Sequence, residues 1–361
     1  MTRLAFIGLG AVAHNIHLPA CRLLGDRVRV IAGSDPDAAA RSRAGTRWKI
    51  PALFESPAEM LATVEADWVI VGTPPALHRA HSELALAAGC HVFCEKPFAE
   101  SLADADVMID AASAARRHLV INNQFPYMAS HHAARAEIGG PRFGRLLFLH
   151  AWHAMQPTTH SEAGWRGVLE RRLGFEFGIH VMDLVRFFFA EEPTRIYATI
   201  PRADPRAHND QANLVTLEFA DGRGASIVLN RLTKGPERYL DMRLEGEHAA
   251  IETSIGGRAE MAIGLHAASR LPFARLDVAG GAQATLRSGR RTVVLARDGL
   301  NLFAASTARH LGNVLNAVAE DREPPASARD NRRSLALVLA MYDSAAAGMP
   351  IDLAPYMSRT T

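Results

Sequence analysis

The sequence predicts an α/β chain in two parts: a doubly wound, parallel-sheet domain over residues 1–122, then an α+β domain over residues 123–361 built on an open, mainly antiparallel sheet. Three observations predict it. Up to Ile121, short and fully apolar runs alternate with helical stretches, the pattern of parallel strands covered on both faces. Beyond Asn123, strand-like segments follow one another with turn signals between them, such as Asp221-Gly222 inside "VTLEFADGRGASIVL", and successive hairpins make an antiparallel sheet. The length of 361 residues suits two domains of about 100–200 residues each.

Element by element, "RLAFIGLG", "RVRVIAGSD", "ADWVIVGTPP", "HVFCEKP" and "HLVINN" read as the first five strands, each followed by a helix except the last. The second part opens with a helical piece, "SHHAARAEIGG", a strand, "RLLFLHAWHAM", a polar loop, and a helix from about Leu173 to Phe189. Leu173, Phe177, Val181, Leu184 and Phe188 form the stripe by which that helix packs on the sheet. "TRIYATIP", "ANLVTLEF", "GASIVLNRL", "RYLDMRLEGEHAAIETSI" and "RTVVLA" supply the antiparallel strands. Two amphipathic helices close the chain, the last stopped by Gly348 and Pro350, and these can pack back on the first domain.

Composition narrows the function. Apolar residues make up 48%, charged residues 22%, and the formal net charge is +2, which gives no nucleic-acid or anionic-membrane surface. The pairs Arg116-Arg117, Arg171-Arg172, Arg290-Arg291 and Arg332-Arg333 are scattered and read as solvated faces. Cys21, Cys90 and Cys94 have no metal spacing and cannot all pair, so a reducing, cytoplasmic setting is expected. Gly8 and Gly10 interrupt the first apolar run before it reaches signal-peptide length, and no segment approaches the roughly 20 apolar residues of a membrane helix.

"FIGLGAVA" places Gly8, Gly10 and Ala13 as G-x-G-x-x-A between a strand and a helix. Glycine at the first two positions lets the backbone approach a pyrophosphate, and a small third residue lets helix and sheet pack closely. The helix N-terminus then presents unpaired N–H groups to the phosphates. Asp35 ends the second strand, 25 residues after Gly10, where a carboxylate can accept from both ribose hydroxyls of an adenosine. Its charge would repel a 2′-phosphate, so NAD is the expected cofactor, while Ser34 and Arg41 nearby leave NADP open. Thr73 and Pro74 end the next strand at the same carboxyl edge, with His78 a turn further on as a cofactor contact or an ordinary helix residue.

Glu95, Lys96 and Pro97 follow a buried strand with no turn residue between. Two opposite charges are tolerated there because that strand end faces the ligand crevice. A lysine beside a nicotinamide can stabilise the oxyanion that develops during hydride transfer.

The order "GLGAVAHNIHLPA", "GTPPALH", "EKP" and then "GFEFGIHVMDLVRFF" resembles the Gfo/Idh/MocA oxidoreductases, the relatives of glucose-fructose oxidoreductase and inositol dehydrogenase. The resemblance covers essentially the whole chain, down to "MYDSAAAGMPIDL". It implies an N-terminal Rossmann domain, an open C-terminal sheet and NAD(P)-dependent chemistry on sugars, polyols or their derivatives. It assigns catalysis to Lys96 and His180, and it places Glu176 where relatives carry an aspartate. Read by themselves, Glu176 and His180 stand at i and i+4 on one helix face, with Asp183 on the same stripe, so a carboxylate would orient an imidazole for proton transfer or the pair would be an ordinary exposed one.

At "VINNQFPYM" many relatives carry an arginine, whereas this chain has Asn122, Asn123, Gln124 and Phe125, which points to a neutral polyhydroxylated substrate. Asn123, His153, Trp165 and Arg166 are the expected substrate contacts. The Trp would stack on a sugar face, Arg166 would restore a cation, and His153 would bond hydroxyls or lie in the core. The leading function is an NAD-dependent sugar or polyol dehydrogenase. A redox-neutral isomerase or lyase with tightly held NAD, and a non-catalytic dinucleotide sensor, are the competing readings. Strands apolar on both alternations predict a homodimer or homotetramer joined through the C-terminal sheet.

Overall fold

A computed structural model describes residues 1–156, 164–235, 237–256, 258–265, 272–279 and 281–358. The first sheet holds β1 (Thr2–Ile7), β2 (Val28–Ser34), β3 (Ala52–Phe54), β4 (Trp68–Val71), β5 (His91–Glu95) and β6 (Leu119–Asn122). Its order is β3-β2-β1-β4-β5-β6, with every pair parallel. Five of these strands are the apolar runs read from the sequence; β3 has only three residues, too few to show a period.

The strands bury both alternations. On one face Leu4, Phe6, Ile70 and Phe93 pack in one cluster, and on the other Ile7, Val69, Val71 and Cys94 pack in a second. The helices α1 (Leu18–Leu24), α2 (Ala38–Trp48), α3 (Pro57–Thr63), α4 (His78–Ala87) and α5 (Leu102–Ala115) come from the crossovers. All three cysteines are buried and free.

The second part begins with α6 (Ala129–Glu137), β7 (Leu146–Ala154) and α7 (Ile179–Phe189). A run of strands follows: β8 (Arg195–Thr199), β9 (Ala212–Glu218), β10 (Gly224–Asn230), β11 (Arg238–Gly246), β12 (Ala250–Ile255), β13 (Arg258–Leu265), β14 (Pro272–Ala279), β15 (Ala282–Ser288) and β16 (Arg291–Asp298). The chain ends with α8 (Leu302–Ala319), α9 (Ala328–Ala347), β17 (Ile351–Asp352) and α10 (Ala354–Met357). Nine strands form one sheet in the order β16-β15-β12-β11-β7-β10-β9-β8-β17, and β13 with β14 forms a separate ribbon. Pairing is antiparallel except between β7 and β10, so the sheet is mixed. The sequence reading did not anticipate β13, β14 and β15, and the polar loop expected after Met155 lies partly outside the described residues.

Helices cover one face of this sheet, where Leu149, Ala151, Val215, Leu217, Ile227 and Leu229 are buried. The open face corrects one expectation. The outward positions of β9 and β10 are Leu214, Thr216, Glu218, Ser226, Val228 and Asn230, mostly polar, so these two strands do not carry an apolar outer surface. The exposed apolar groups on that face come mainly from Phe148, Trp152 and Tyr197, with Leu214.

Of the closing helices, α8 lies against the first sheet, and α9 packs between β8, α7 and α5. Leu311 and Val314 of α8 share a cluster with Phe6 and Ile70, and Arg27 donates to Gly312 O (3.2 Å) and Asn316 Oδ1 (2.6 Å). In α9, Arg332 is buried and forks onto Asp106 of α5 at 2.7 and 3.0 Å, with Nη1 on Tyr356 O at 2.9 Å. Two members of the arginine pairs, Arg172 and Arg332, are thus buried in ion pairs and not on solvated faces. No described helix is long and apolar enough to cross a membrane.

Arg332 is buried, and its removal deletes both bonds to Asp106 and the one to Tyr356 O. Arg332→Ala should therefore lower the unfolding midpoint in urea clearly, and an unchanged midpoint would show that the fork onto Asp106 contributes nothing.

Candidate active site

A cavity of about 980 Å³ runs along the carboxyl edge of the first sheet to the mouth of the second domain. Its glycine end is forced by geometry. Gly8 has φ +94°, and a Cβ there would lie 2.8 Å from Gly72 O, because the ends of β1 and β4 approach closely. Around Gly10 a Cβ would meet nothing within 4 Å, so the loop presents open backbone to the cavity. That combination fits a pyrophosphate.

Beyond the loop the chain makes a π-helix, Ala13–His17, before α1. Ala13 does not line the cavity; it is fully buried in the cluster of Leu4 and Phe6, where it allows close packing, and Asn15 and Ile16 of the same turn face the cavity instead. Asp35 lines it, with Oδ2 accepting from Leu9 N at 2.8 Å and Oδ1 from Asp37 N at 2.9 Å. Arg41 is turned to backbone, donating to Asp35 O (2.7 Å) and Pro36 O (3.0 Å).

Thr73 and Pro74 form the wall. His78 does not reach the cavity: it is fully buried, with Nδ1 2.9 Å from Pro97 O and Nε2 2.8 Å from Thr73 O. It ties together the loops after β4 and β5, and burial lowers its pKa. One helical turn on, His81 faces the cavity with Nδ1 3.1 Å from Thr73 Oγ1. Nothing in the sequence distinguishes these two histidines; only the start of α4 decides which one turns inward.

Glu95 and Lys96 both line the cavity, and the Lys96-Pro97 bond is cis. Glu95 Oε1 accepts from Asn122 Nδ2 and contacts His17 Nε2, both at 2.7 Å. Burial opposes its charge, but His17, Asn122 and Lys96 outweigh that and hold the carboxyl below its usual range. Lys96 Nζ donates to the backbone oxygen of Glu176 at 2.8 Å, and burial lowers its pKa against the pull of Glu95 and Glu176.

The segment carrying Glu176 and His180 is not one regular helix. Gly174–Gly178 is π-helical and joins α7 without a break. The wider π turn removes the shared face of an i,i+4 pair. Glu176 accepts from Arg166 Nε at 2.5 Å and Arg172 Nε at 2.7 Å, and its carboxylate makes no bond to His180. His180 instead stacks on Phe125 with ring centroids 3.9 Å apart, and its Nδ1 lies 2.6 Å from Asn123 Oδ1. Burial and Lys96 push its pKa well down, so the ring is neutral at neutral pH. Asp183 lies elsewhere, accepting from Ser334 Oγ at 2.8 Å.

An Asp210 and Tyr342 clamp holds this turn. Asp210 Oδ1 accepts from Leu173 N (2.7 Å), and Tyr342 OH accepts from Gly174 N (2.9 Å) while donating to Asp210 Oδ2 (2.6 Å). A Cβ at Gly174 would fall 2.4 Å from that hydroxyl, which is why glycine stands there.

Of the expected substrate contacts, Trp165 and Arg166 line the cavity, the guanidinium 4.3 Å over the indole. Asn123 and His153 do not. Asn123 lies behind His180, and His153 is stacked on Phe177 at 3.6 Å with Nδ1 2.6 Å from Tyr239 O, a core histidine. Tyr239 and Phe303, which the sequence reading missed, complete the wall from distant elements and carry no local signal.

A glycine cradle and a half-buried lysine on one continuous cavity between two such domains define the class of dinucleotide-dependent oxidoreductases. Comparison with known proteins then gives the family. Residues 2–123 match the model of the Gfo/Idh/MocA oxidoreductase family's NAD-binding Rossmann fold, and residues 131–252 match the model of its C-terminal domain. The chain belongs to the Gfo/Idh/MocA family and is an NAD-binding oxidoreductase. A D-apiose dehydrogenase of Paraburkholderia graminis is 28% identical over 361 residues, 97% of this chain and 89% of that protein. A 1,5-anhydro-D-fructose reductase of Ensifer adhaerens is 26% identical, over 98% of this chain and 99% of that one. The fold is also that of an Agrobacterium radiobacter oxidoreductase crystallised with NAD+, L-tartaric acid and magnesium, with a TM-score of 0.83, 21% identity and coverage of 98% and 99%.

If the Asp35 carboxylate on the cavity wall accepts from the adenosine ribose and repels a 2′-phosphate, Asp35→Ala should raise the Kd for NAD roughly 10-fold or more while that for NADP changes less. Titration of both cofactors checks this, and a wild-type preference for NADP would refute it.

Proposed function

We propose that the chain transfers a hydride between a sugar or polyol carbinol carbon and NAD. The observation that carries this reading is that Lys96 and His180 open onto the cavity that begins at the Gly8 cradle. Both full-length relatives described above, one named a dehydrogenase and one a reductase, act by name on sugar derivatives, which supports the substrate class.

When bound, the nicotinamide supplies the hydride acceptor at C4. The residues of the chain handle the proton and the charge. His180, neutral and fixed in plane by Phe125, accepts the hydroxyl proton. Lys96 is held by the Glu176 carbonyl and donates toward the oxygen that becomes a carbonyl, lowering the charge that develops there. Glu176 acts through its backbone oxygen and through the Arg166 and Arg172 bonds that fix its turn. Trp165 and Arg166 at the mouth give a stacking face and a donor for hydroxyls.

Lys96→Ala and His180→Ala should each lower kcat about 100-fold with NAD binding retained. Because burial and Lys96 keep His180 neutral, the acid limb of kcat should lie below the ordinary histidine range, with no loss between pH 7.5 and about 6.5. A panel of aldoses, polyols, inositols and sugar acids followed by NADH absorbance identifies the substrate. Unchanged turnover in either variant removes that residue from the chemistry, and turnover without net NADH replaces the dehydrogenase reading with a redox-neutral one.

We further infer a homodimer or homotetramer joined through the open face of the C-terminal sheet, and a reducing cytoplasmic setting that suits three free thiols. Phe148, Trp152, Tyr197 and Leu214 are each about two-fifths exposed on that face, at 41%, 40%, 40% and 44%. Burying such aromatic and aliphatic groups against a second copy is the usual way an open sheet face is covered. Light scattering should give a multiple of 39.1 kDa, reduced by Trp152→Glu; a wild-type mass near one chain overturns it.

A further inference from the structure

His180 is linked to a backbone carbonyl through two buried amides. Its Nδ1 lies 2.6 Å from Asn123 Oδ1, Asn123 Nδ2 lies 3.2 Å from Asn331 Oδ1, and Asn331 Nδ2 lies 3.1 Å from Ala326 O and 3.5 Å from Ser327 O. All three side chains are buried, at 3%, 0% and 2% exposure. Ala326 O also accepts from Ile121 N at 3.0 Å, in β6, the strand that leads directly into Asn122 and Asn123.

The direction of the chain is fixed from its far end. A carbonyl can only accept, so Asn331 must turn its NH₂ toward Ala326 and its oxygen toward Asn123. That oxygen can only accept, so Asn123 must present its NH₂ to Asn331 and its own oxygen to His180. The nitrogen of His180 facing Asn123 must then carry hydrogen. In a neutral ring the other nitrogen, Nε2, is left with a lone pair.

We propose that Asn331 is a positioning residue which, through Asn123, holds His180 in the Nδ1–H tautomer so that Nε2 is the proton acceptor in the cavity. This rests on the reading of His180 as the group that takes the substrate proton, but the tautomer itself is a property of the protein at rest. An amide partner also differs from a carboxylate: it fixes the tautomer without adding negative charge, so the protonated ring beside Lys96 returns its proton readily. Asn331 stands on the first turn of α9, after residue 326 and more than 200 residues from Asn123, and the two parts of the chain meet here to set one proton.

The tautomer is read by long-range ¹H–¹⁵N correlation of ¹⁵N-histidine-labelled, NAD-loaded protein at pH 7.5, with His180 assigned by its loss in His180→Asn. The expected signature is a protonated Nδ1 and an unprotonated Nε2. A protonated Nε2 in the wild type overturns the proposal, whatever the activity of His180→Ala.

Two substitutions at position 331 separate positioning from mere support. Asn331→Leu removes the acceptor that orients Asn123, so the Nε2–H form should appear and kcat should fall roughly 10-fold, with NAD affinity kept. Asn331→Asp still accepts from Asn123 Nδ2, so the Nδ1–H signature and most of kcat should survive even as the contact with Ala326 weakens and the melting temperature drops. A wild-type tautomer in Asn331→Leu, or equal loss of the signature in both variants, refutes the role of Asn331. The wild-type spectrum decides the tautomer even if the leucine variant does not fold.

Discussion

A half-buried cation at the meeting point of the two sheets is what the surrounding structure is arranged to support. Lys96 is half-buried, and an ammonium partly withdrawn from water needs hydrogen bonds and opposite charge to replace the hydration it loses. Glu95 supplies the charge from the same strand end, but it is itself a buried carboxylate and needs His17 and Asn122. The Glu176 carbonyl supplies the bond, within a π-helical turn that Asp210 and Tyr342 clamp from behind. Each compensation calls for a further one, so residues from β5, β6, the turn after the glycine loop and the segment before α7 are mutually constrained.

Two π-helical turns, Ala13–His17 and Gly174–Gly178, stand on either side of the cavity. Each follows or contains glycine and each feeds directly into a regular helix. A π turn widens the helix locally and offsets the side chains that follow. In the first, Asn15 and Ile16 come round to the cavity while Ala13 and His17 stay buried; in the second, the Glu176 side chain goes to Arg172 while its carbonyl turns to Lys96. Regular helices over the same residues would place different groups at the cavity.

Those turns also mark where sequence reading succeeds and fails. Strands such as β1, β4 and β5 are legible because burial on both faces leaves no polar alternation, and the glycine loop is legible because only glycine tolerates its backbone and close contacts. Glu176 and His180 were assigned to one face by a helical period that the chain does not follow there. The choice between His78 and His81, or between Asn123 as a substrate contact and as a partner of His180, depends on side-chain direction at element ends, for which sequence has no periodic signal. His153 looked like a ligand for the same reason: alternation tells which face of β7 it occupies, not that Phe177 and Tyr239 lie in front of it. Tyr239, Phe303 and Asn331 were invisible because their roles arise only when segments over 100 residues apart meet.

The placement of α8 bears on how the chain is made. Leu311 and Val314 belong to the same apolar layer as Phe6 and Ile70, so a nascent chain emerging from the ribosome carries the first sheet with one face unfinished until α8, Leu302–Ala319, follows. Closing that layer requires contacts of very long sequence separation, which form slowly and leave hydrophobic surface open in the meantime. The nucleotide-binding half is thus completed only after strands β7 to β16 have been made, and truncation within α8 would expose the interior of a domain whose own strands are all present.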